Sequence, residues 1–241
     1  MIAPLTLAQM PDMVNSVWTF FSTGGLFMWP LLACSIVAVT VIIMRGMALR
    51  RKNVLPLNIE SEIERLVPGG SAERLARIVH HDQSALGRIV RAALHHLRAP
   101  RNETVEMVET KARHEVVNLE KGLIVLEIIT GIAPLLGLIG AVSGLVRVFS
   151  ALGLSSGASN TQAIALGISE ALNATVFGLS IAVPTLIGFS YFSKKVEVMS
   201  VEIETLVVEL ISKCYYGRVS REEGAPAARP APAPQARAPI A

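Results

Sequence analysis

Long apolar stretches alternate along the chain with polar ones, and the spacing inside both is that of helices. Three apolar stretches, residues 26–44, 122–150 and 162–192, reach the length needed to cross a membrane, for which ~20 residues at 1.5 Å rise suffice. The first reads LFMWPLLACSIVAVTVIIM and is followed at once by Arg45, Arg50, Arg51 and Lys52. Residues 45–121 are polar and broken at Pro56, at Pro68-Gly69-Gly70 and at Ala99-Pro100. Between the breaks Leu75, Ile78, Val79, Leu86, Ile89, Val90, Ala93, Leu94 and Leu97 recur every three or four positions, which predicts short amphipathic helices. Asn102 is a suitable N-cap, and nothing breaks the pattern from Glu103 until Pro134, so one helix is predicted to run from the polar segment straight into the second span. Pro134 is expected to kink it mildly, with the Thr130 hydroxyl compensating for the lost backbone bond.

After the third span, Lys194 and Lys195 mark its end, and Val196, Met199, Ile203, Leu206, Val207 and Leu210 extend a helix over 193–216. Residues 217–241, rich in Pro and Ala, are expected to be a disordered tail. At the other end, residues 1–25 hold no Lys or Arg, and Trp18, Phe20 and Phe21 suit a membrane interface. The basic stretch that opens a cleavable signal peptide is missing there, so the segment is not read as one. The expected fold is therefore all-α: an integral membrane protein with three transmembrane helices, long cytoplasmic helical extensions and a disordered C-terminal tail.

Composition agrees with a membrane setting. The 241 residues are 51% hydrophobic, with a mean hydropathy of +0.50, too apolar for an ordinary soluble domain of this length. A net charge of +3 and a pI near 9.1 invite a nucleic-acid reading, but the basic residues stand at the ends of apolar segments and form no patch, so no nucleic-acid partner is expected. Their placement instead sets orientation. With Arg45 the first basic residue, the positive-inside rule puts the N-terminus outside, residues 45–121 in the cytoplasm, the short loop 151–161 outside and the C-terminus in the cytoplasm.

Some patterns lead nowhere. Cys34 lies in the first span and Cys214 beyond the third, too far apart on this topology for a disulfide. The paired histidines His80, His81, His95 and His96, with His114, do not make the i, i+4 geometry of a zinc site, and no metal or cofactor is expected. Gly153 to Gly157 matches G-x-S-x-G, yet every His lies across the membrane from Ser155, so no catalytic residue is assigned.

The stretch from Gly131 to Phe149, GIAPLLGLIGAVSGLVRVF, is unusually rich in glycine for a span. At ~100° per residue, Thr130, Pro134, Gly137, Ala141, Gly144 and Val148 share one smooth face, and Gly140 with Gly144 makes a GxxxG pair. Lipid offers a helix as much apolar contact as another helix does, so a face of small residues signals close backbone packing. Pro134, Gly137, Gly140, Gly144 and, in the third span, Pro184 are read as packing positions. Because the face needs a neighbour, a homo-oligomer is expected.

Charged groups inside spans carry the candidate chemistry, since a carboxylate at mid-bilayer costs about 2.5–3.5 kcal/mol and usually faces protein or water. Glu170 is such a residue, at the border of a polar stripe made by Gln162, Ser169, Asn173 and Ser180. Glu127, one turn inside the inner edge, is placed to meet Lys121 or Lys194 as an ion pair or an inner-end relay. Arg147, near the outer end, is long enough to snorkel to the headgroups.

The string APLLGLIGAVSG, preceded by the charged run 103–121 and followed by GISEALNAT, resembles the ExbB/TolQ/MotA proton-channel family over about residues 24–210. Three spans with a large loop after the first look like its ExbB/TolQ branch. The resemblance implies five copies in a ring around the helices of a smaller ExbD/TolR-like single-span protein, with a TonB/TolA-like energy transducer beyond it. It implies a bacterial inner-membrane location and protons whose passage moves the partner, energising outer-membrane transport or envelope processes. The proton-carrying aspartate is expected on the partner, and this chain is expected to be a channel housing and no enzyme. Glu170 and Thr175 correspond to polar lining residues, with Ser169, Asn173 and Ala141 beside them. Ala141 stands where the family usually has a threonine, and Ser143 where a larger residue often stands. The alternatives are a TolQ-type envelope-integrity motor subunit and a structural membrane scaffold without ion flow. An intramembrane protease is disfavoured by the lack of H-E-x-x-H, of paired membrane aspartates and of a reachable Ser/His pair.

Overall fold

A computed structural model describes residues 25–154 and 159–223, and within them the fold is all-α. The helices are α1 (Met28–Ala48), α2 (Arg51–Val54), α3 (Leu57–Arg65), α4 (Glu73–His81), α5 (Ala85–His96), α6 (Arg101–Glu120), α7 (Leu123–Leu154) and α8 (Ser159–Glu223). Three helical stretches are long and apolar enough to cross a membrane: Met28–Ala48, Leu123–Ser150 and Thr161–Tyr216. Residues 1–24, for which an outer-side segment is expected from sequence, residues 155–158 of the loop and residues 224–241 of the tail lie outside the described residues. Residues 217–223, placed in the tail by their sequence, continue α8.

The chain divides into two compact units, Met1–Val54 with His114–Val201, and Leu55–Arg113 with Glu202–Ala241. In the first, the buried row of α7 changes character along its length. Leu123, Leu126 and Ile129 pack with Leu31, Ala38 and Leu49 of the α1 region and with Ile181, Ala182, Phe192 and Val196 of α8. Beyond Ala133 the buried positions become Gly137, Gly140 and Gly144, ending at Val148. The outward residues, such as Ile36, Leu138, Val142, Leu172 and Ile187, are large and apolar, as lipid-facing positions should be. Four hydroxyls in the spans donate to a carbonyl one turn back in their own helix: Thr40 to Ile36 O, Thr175 to Ala171 O, Ser180 to Val176 O and Thr185 to Ile181 O.

Three expectations about the second span and the helix leading to it need correction. The helix does not run unbroken from Glu103 to Pro134; it stops at Glu120 and restarts at Leu123. Gly122 takes φ 82°, a left-handed conformation that suits glycine, and a Cβ there would lie 2.7 Å from Arg45 Nη2. Arg45 Nη1 donates to Leu119 O at 3.3 Å, serving a carbonyl that the ending helix leaves open. Nor does Thr130 compensate for Pro134: its hydroxyl donates to Leu126 O at 2.9 Å, one turn before the carbonyl that lost its donor. Asn102 lies in the first turn of α6, which begins at Arg101, and is not its cap.

In the second unit the amphipathic reading of Leu75 to Leu97 corresponds to α4 and α5, and α3 precedes them; the apolar faces of the three supply Ile59, Ile63, Leu75, Val79, Leu86, Ile89 and Val90, all buried. Ser84 caps α5 by accepting from Gly87 N at 3.0 Å. Lys213 Nζ donates to Ile63 O at 2.9 Å and Glu64 O at 2.8 Å, closing the end of α3, and the Tyr215 hydroxyl meets Thr104 Oγ1 at 2.7 Å and Ala99 O at 2.8 Å. His80, His81, His95 and His96 sit in the last turns of α4 and α5. No group of three or more metal-type ligands occurs among the described residues.

Candidate functional site

The site is set by how closely α7 and α8 approach. A Cβ on Gly144 would lie 2.7 Å from Gly167 O and 2.9 Å from Ala171 N, and one on Gly137 would lie 2.9 Å from Ala174 O. From the other side, a Cβ on Gly178 would lie 2.7 Å from Ala133 O and 3.1 Å from Gly137 Cα. Gly140 faces the Ala174 methyl and, on the α1 side, Phe27. The small-residue face of α7 is thus filled by α8 of the same chain, so it no longer argues for an oligomer. Its complement was legible but unread: Gly167, Ala171, Ala174, Gly178 and Ala182 repeat at helical spacing along the third span. Pro134 is half-buried and Pro184 exposed.

Along this seam, beside the C-terminal third of α7, lies Glu170, whose side chain is only 8% exposed. Arg147 Nη1 donates to its Oε2 at 3.0 Å, while the Arg147 side chain as a whole is 61% exposed. On the opposite side stands Gly25, at φ 76°, where a Cβ would overlap the Glu170 carboxylate. Gly25 O accepts from Met28 N as α1 begins. One carboxylate, carried by α8, therefore meets the residues that lead into α1 and the last third of α7. The close α7–α8 seam makes this possible, because it brings two long side chains from neighbouring helices to one depth.

The other expected lining residues are near but differently engaged. Ser169 and Asn173 form a half-buried pair, Asn173 Nδ2 donating to Ser169 Oγ at 3.4 Å. Thr175 is half-buried, its hydroxyl returned to Ala171 O, and its Cα lies against Gly137. Ala141 is half-buried on α7. Glu127 is exposed and meets neither Lys121 nor Lys194; Lys194 pairs with Glu197 at 2.9 Å. Twenty positions separate Glu127 from Arg147, roughly 30 Å along a helix, so Glu127 is no part of the Glu170 site.

Arg147 is the residue that sequence reasoning missed. Its sequence position suggests only a reach to the headgroups and names no partner. The signal was present, since Glu170 is the only charged residue of the third span before Lys194, and Arg147 is the only cation in the second. Opposite charges that are isolated in adjacent apolar helices gain most by meeting, because each alone carries a large desolvation cost.

Residues 81–205 match the MotA/TolQ/ExbB proton channel family. Among individual proteins, the ExbB-like 1 biopolymer transport protein of Synechocystis sp. is 35% identical over 195 residues, covering 78% of this chain and 73% of that one. A second protein of the same organism, ExbB-like 3, is 28% identical over 203 residues, covering 83% of this chain and 97% of its own length. The biopolymer transport protein ExbB of Helicobacter pylori is 37% identical over 97 residues, or 39% of this chain and 66% of that protein.

Proposed function

Since the chain belongs to the MotA/TolQ/ExbB proton channel family, we propose that it is the channel subunit of a proton-driven motor in a bacterial inner membrane. Five copies surround the helices of an ExbD/TolR-like single-span protein, and protons crossing the assembly move that partner. A TonB/TolA-like transducer carries the work to outer-membrane transport. The N-terminus lies outside and the C-terminus in the cytoplasm, following the basic residues from Arg45 onward. Glu170, with Ser169, Asn173, Thr175 and Ala141 near it, belongs to the polar lining of the path, and the chain performs no catalysis of its own.

The observation that carries this reading is Glu170 itself, a carboxylate buried in a membrane span. The cost of placing it there is justified where a charged or titratable group serves ion passage. Its pairing with Arg147 favours a second reading, in which Glu170 ties helices together in a scaffold without ion flow. Cells carrying Glu170→Gln separate the two. On the channel reading, the variant still copurifies with the single-span partner and loses uptake that depends on the proton motive force. Copurification with full uptake favours the scaffold.

A further inference from the structure

We propose that Arg147 is the positioning residue of this site: its guanidinium holds the Glu170 carboxylate inside the three-helix bundle and keeps it from conducting cations while the pair is closed. This rests on the channel reading above and adds the element that withholds the carboxylate.

The geometry is asymmetric. Glu170 is nearly fully buried, and its carboxylate is bounded on one side by the Gly25 backbone and on the other by the Arg147 guanidinium at 3.0 Å. Arg147 is mostly exposed, so it is the mobile half of the pair. Its side chain can swing toward the membrane surface without repacking the seam. No second cation is available to replace it among the described residues of the elements packed there. The run from Gly25 to Met44 is uncharged, α7 offers only the distant Glu127 besides Arg147, and α8 holds no other charge before Lys194. Ser169 and Asn173 are engaged with each other one turn away. The carboxylate consequently has two states, one neutralised by Arg147 and one bare. Only the bare one attracts a cation.

The test uses the full chain with its single-span partner in liposomes and measures passive proton flux under an imposed gradient. Arg147→Gln, Glu170→Gln and the double variant all break the pair, but only Arg147→Gln leaves a bare carboxylate. The expected result is a several-fold higher flux in Arg147→Gln, flux near wild type in Arg147→Lys, and no increase in Glu170→Gln or the double variant. Wild-type flux in Arg147→Gln overturns the proposal. So does a double variant as leaky as Arg147→Gln, because loosened packing then explains the leak. If Arg147→Gln fails to assemble, the double variant decides: its assembly shows that the bare carboxylate was the burden and supports the proposal, and its failure makes Arg147 a packing residue. Unchanged flux in Glu170→Gln counts against the channel reading alone, while the contrast between Arg147→Gln and the double variant still judges this one.

Discussion

In the unit that contains the spans, the tightest contacts are made by glycine and alanine backbones along α7 and α8. In the other unit, leucine, isoleucine and valine from α3, α4 and α5 interlock around a buried core. The difference follows from the solvent each unit meets. Removing apolar surface from water contributes about 25 cal/mol per Å², so bulk is useful where water is the alternative. A helix in lipid gains nothing by that route, and its partners are held by close approach and dispersion. The two units should therefore fail in opposite ways, the first when volume is added and the second when volume is removed.

The largest effect is expected at the seam. Gly144→Leu places four carbons where a single Cβ already meets Gly167 O at 2.7 Å, so α7 and α8 must separate. Little folded protein should survive detergent extraction, which size-exclusion chromatography would show; a monodisperse, normally stable variant would break the comparison. Next comes the opposite change in the other unit. Ile89 is fully buried, and Ile89→Ala should cost about 2–5 kcal/mol in thermal or denaturant unfolding. A cost below that range would mean that its core collapses around the cavity. Ser84→Ala removes the cap of α5 and should cost about 0.5–2 kcal/mol in the same measurement. The smallest effect serves as the control. Gly131 has nothing within 4 Å of where its Cβ would stand, so Gly131→Ala should be neutral or stabilise by up to ~1 kcal/mol through helix propensity. Clear destabilisation there would show that glycine matters in this span for something other than room.

Hydropathy and periodicity made the large features legible. Three apolar stretches announced three spans, and the three- and four-residue spacing from Leu75 to Leu97 announced amphipathic helices that the structure has as α4 and α5. What stayed hidden depends on pairing between distant segments. The break at Gly122 lacks a proline, and its cause lies partly in Arg45, more than seventy positions earlier. The small-residue face was visible on α7, but its partner stripe on α8 required matching two patterns at once. Glu170 was found because a lone carboxylate in a span is conspicuous. Arg147 is inconspicuous because an arginine near the end of a span is explained by snorkelling alone, and only the structure shows its pairing.

The central claim is that Glu170 serves ion passage and not merely helix attachment. Purified complexes of the chain with the proposed single-span partner, wild type and Glu170→Gln, would be reconstituted at equal density and proton entry into the liposomes recorded under a fixed gradient. Gln keeps the volume and much of the hydrogen bonding of Glu while removing the charge. The account predicts equal assembly and a sharp fall in flux for the variant, with Glu170→Asp retaining part of it. Equal flux at equal assembly would contradict it and leave the Arg147–Glu170 pair as a structural tie.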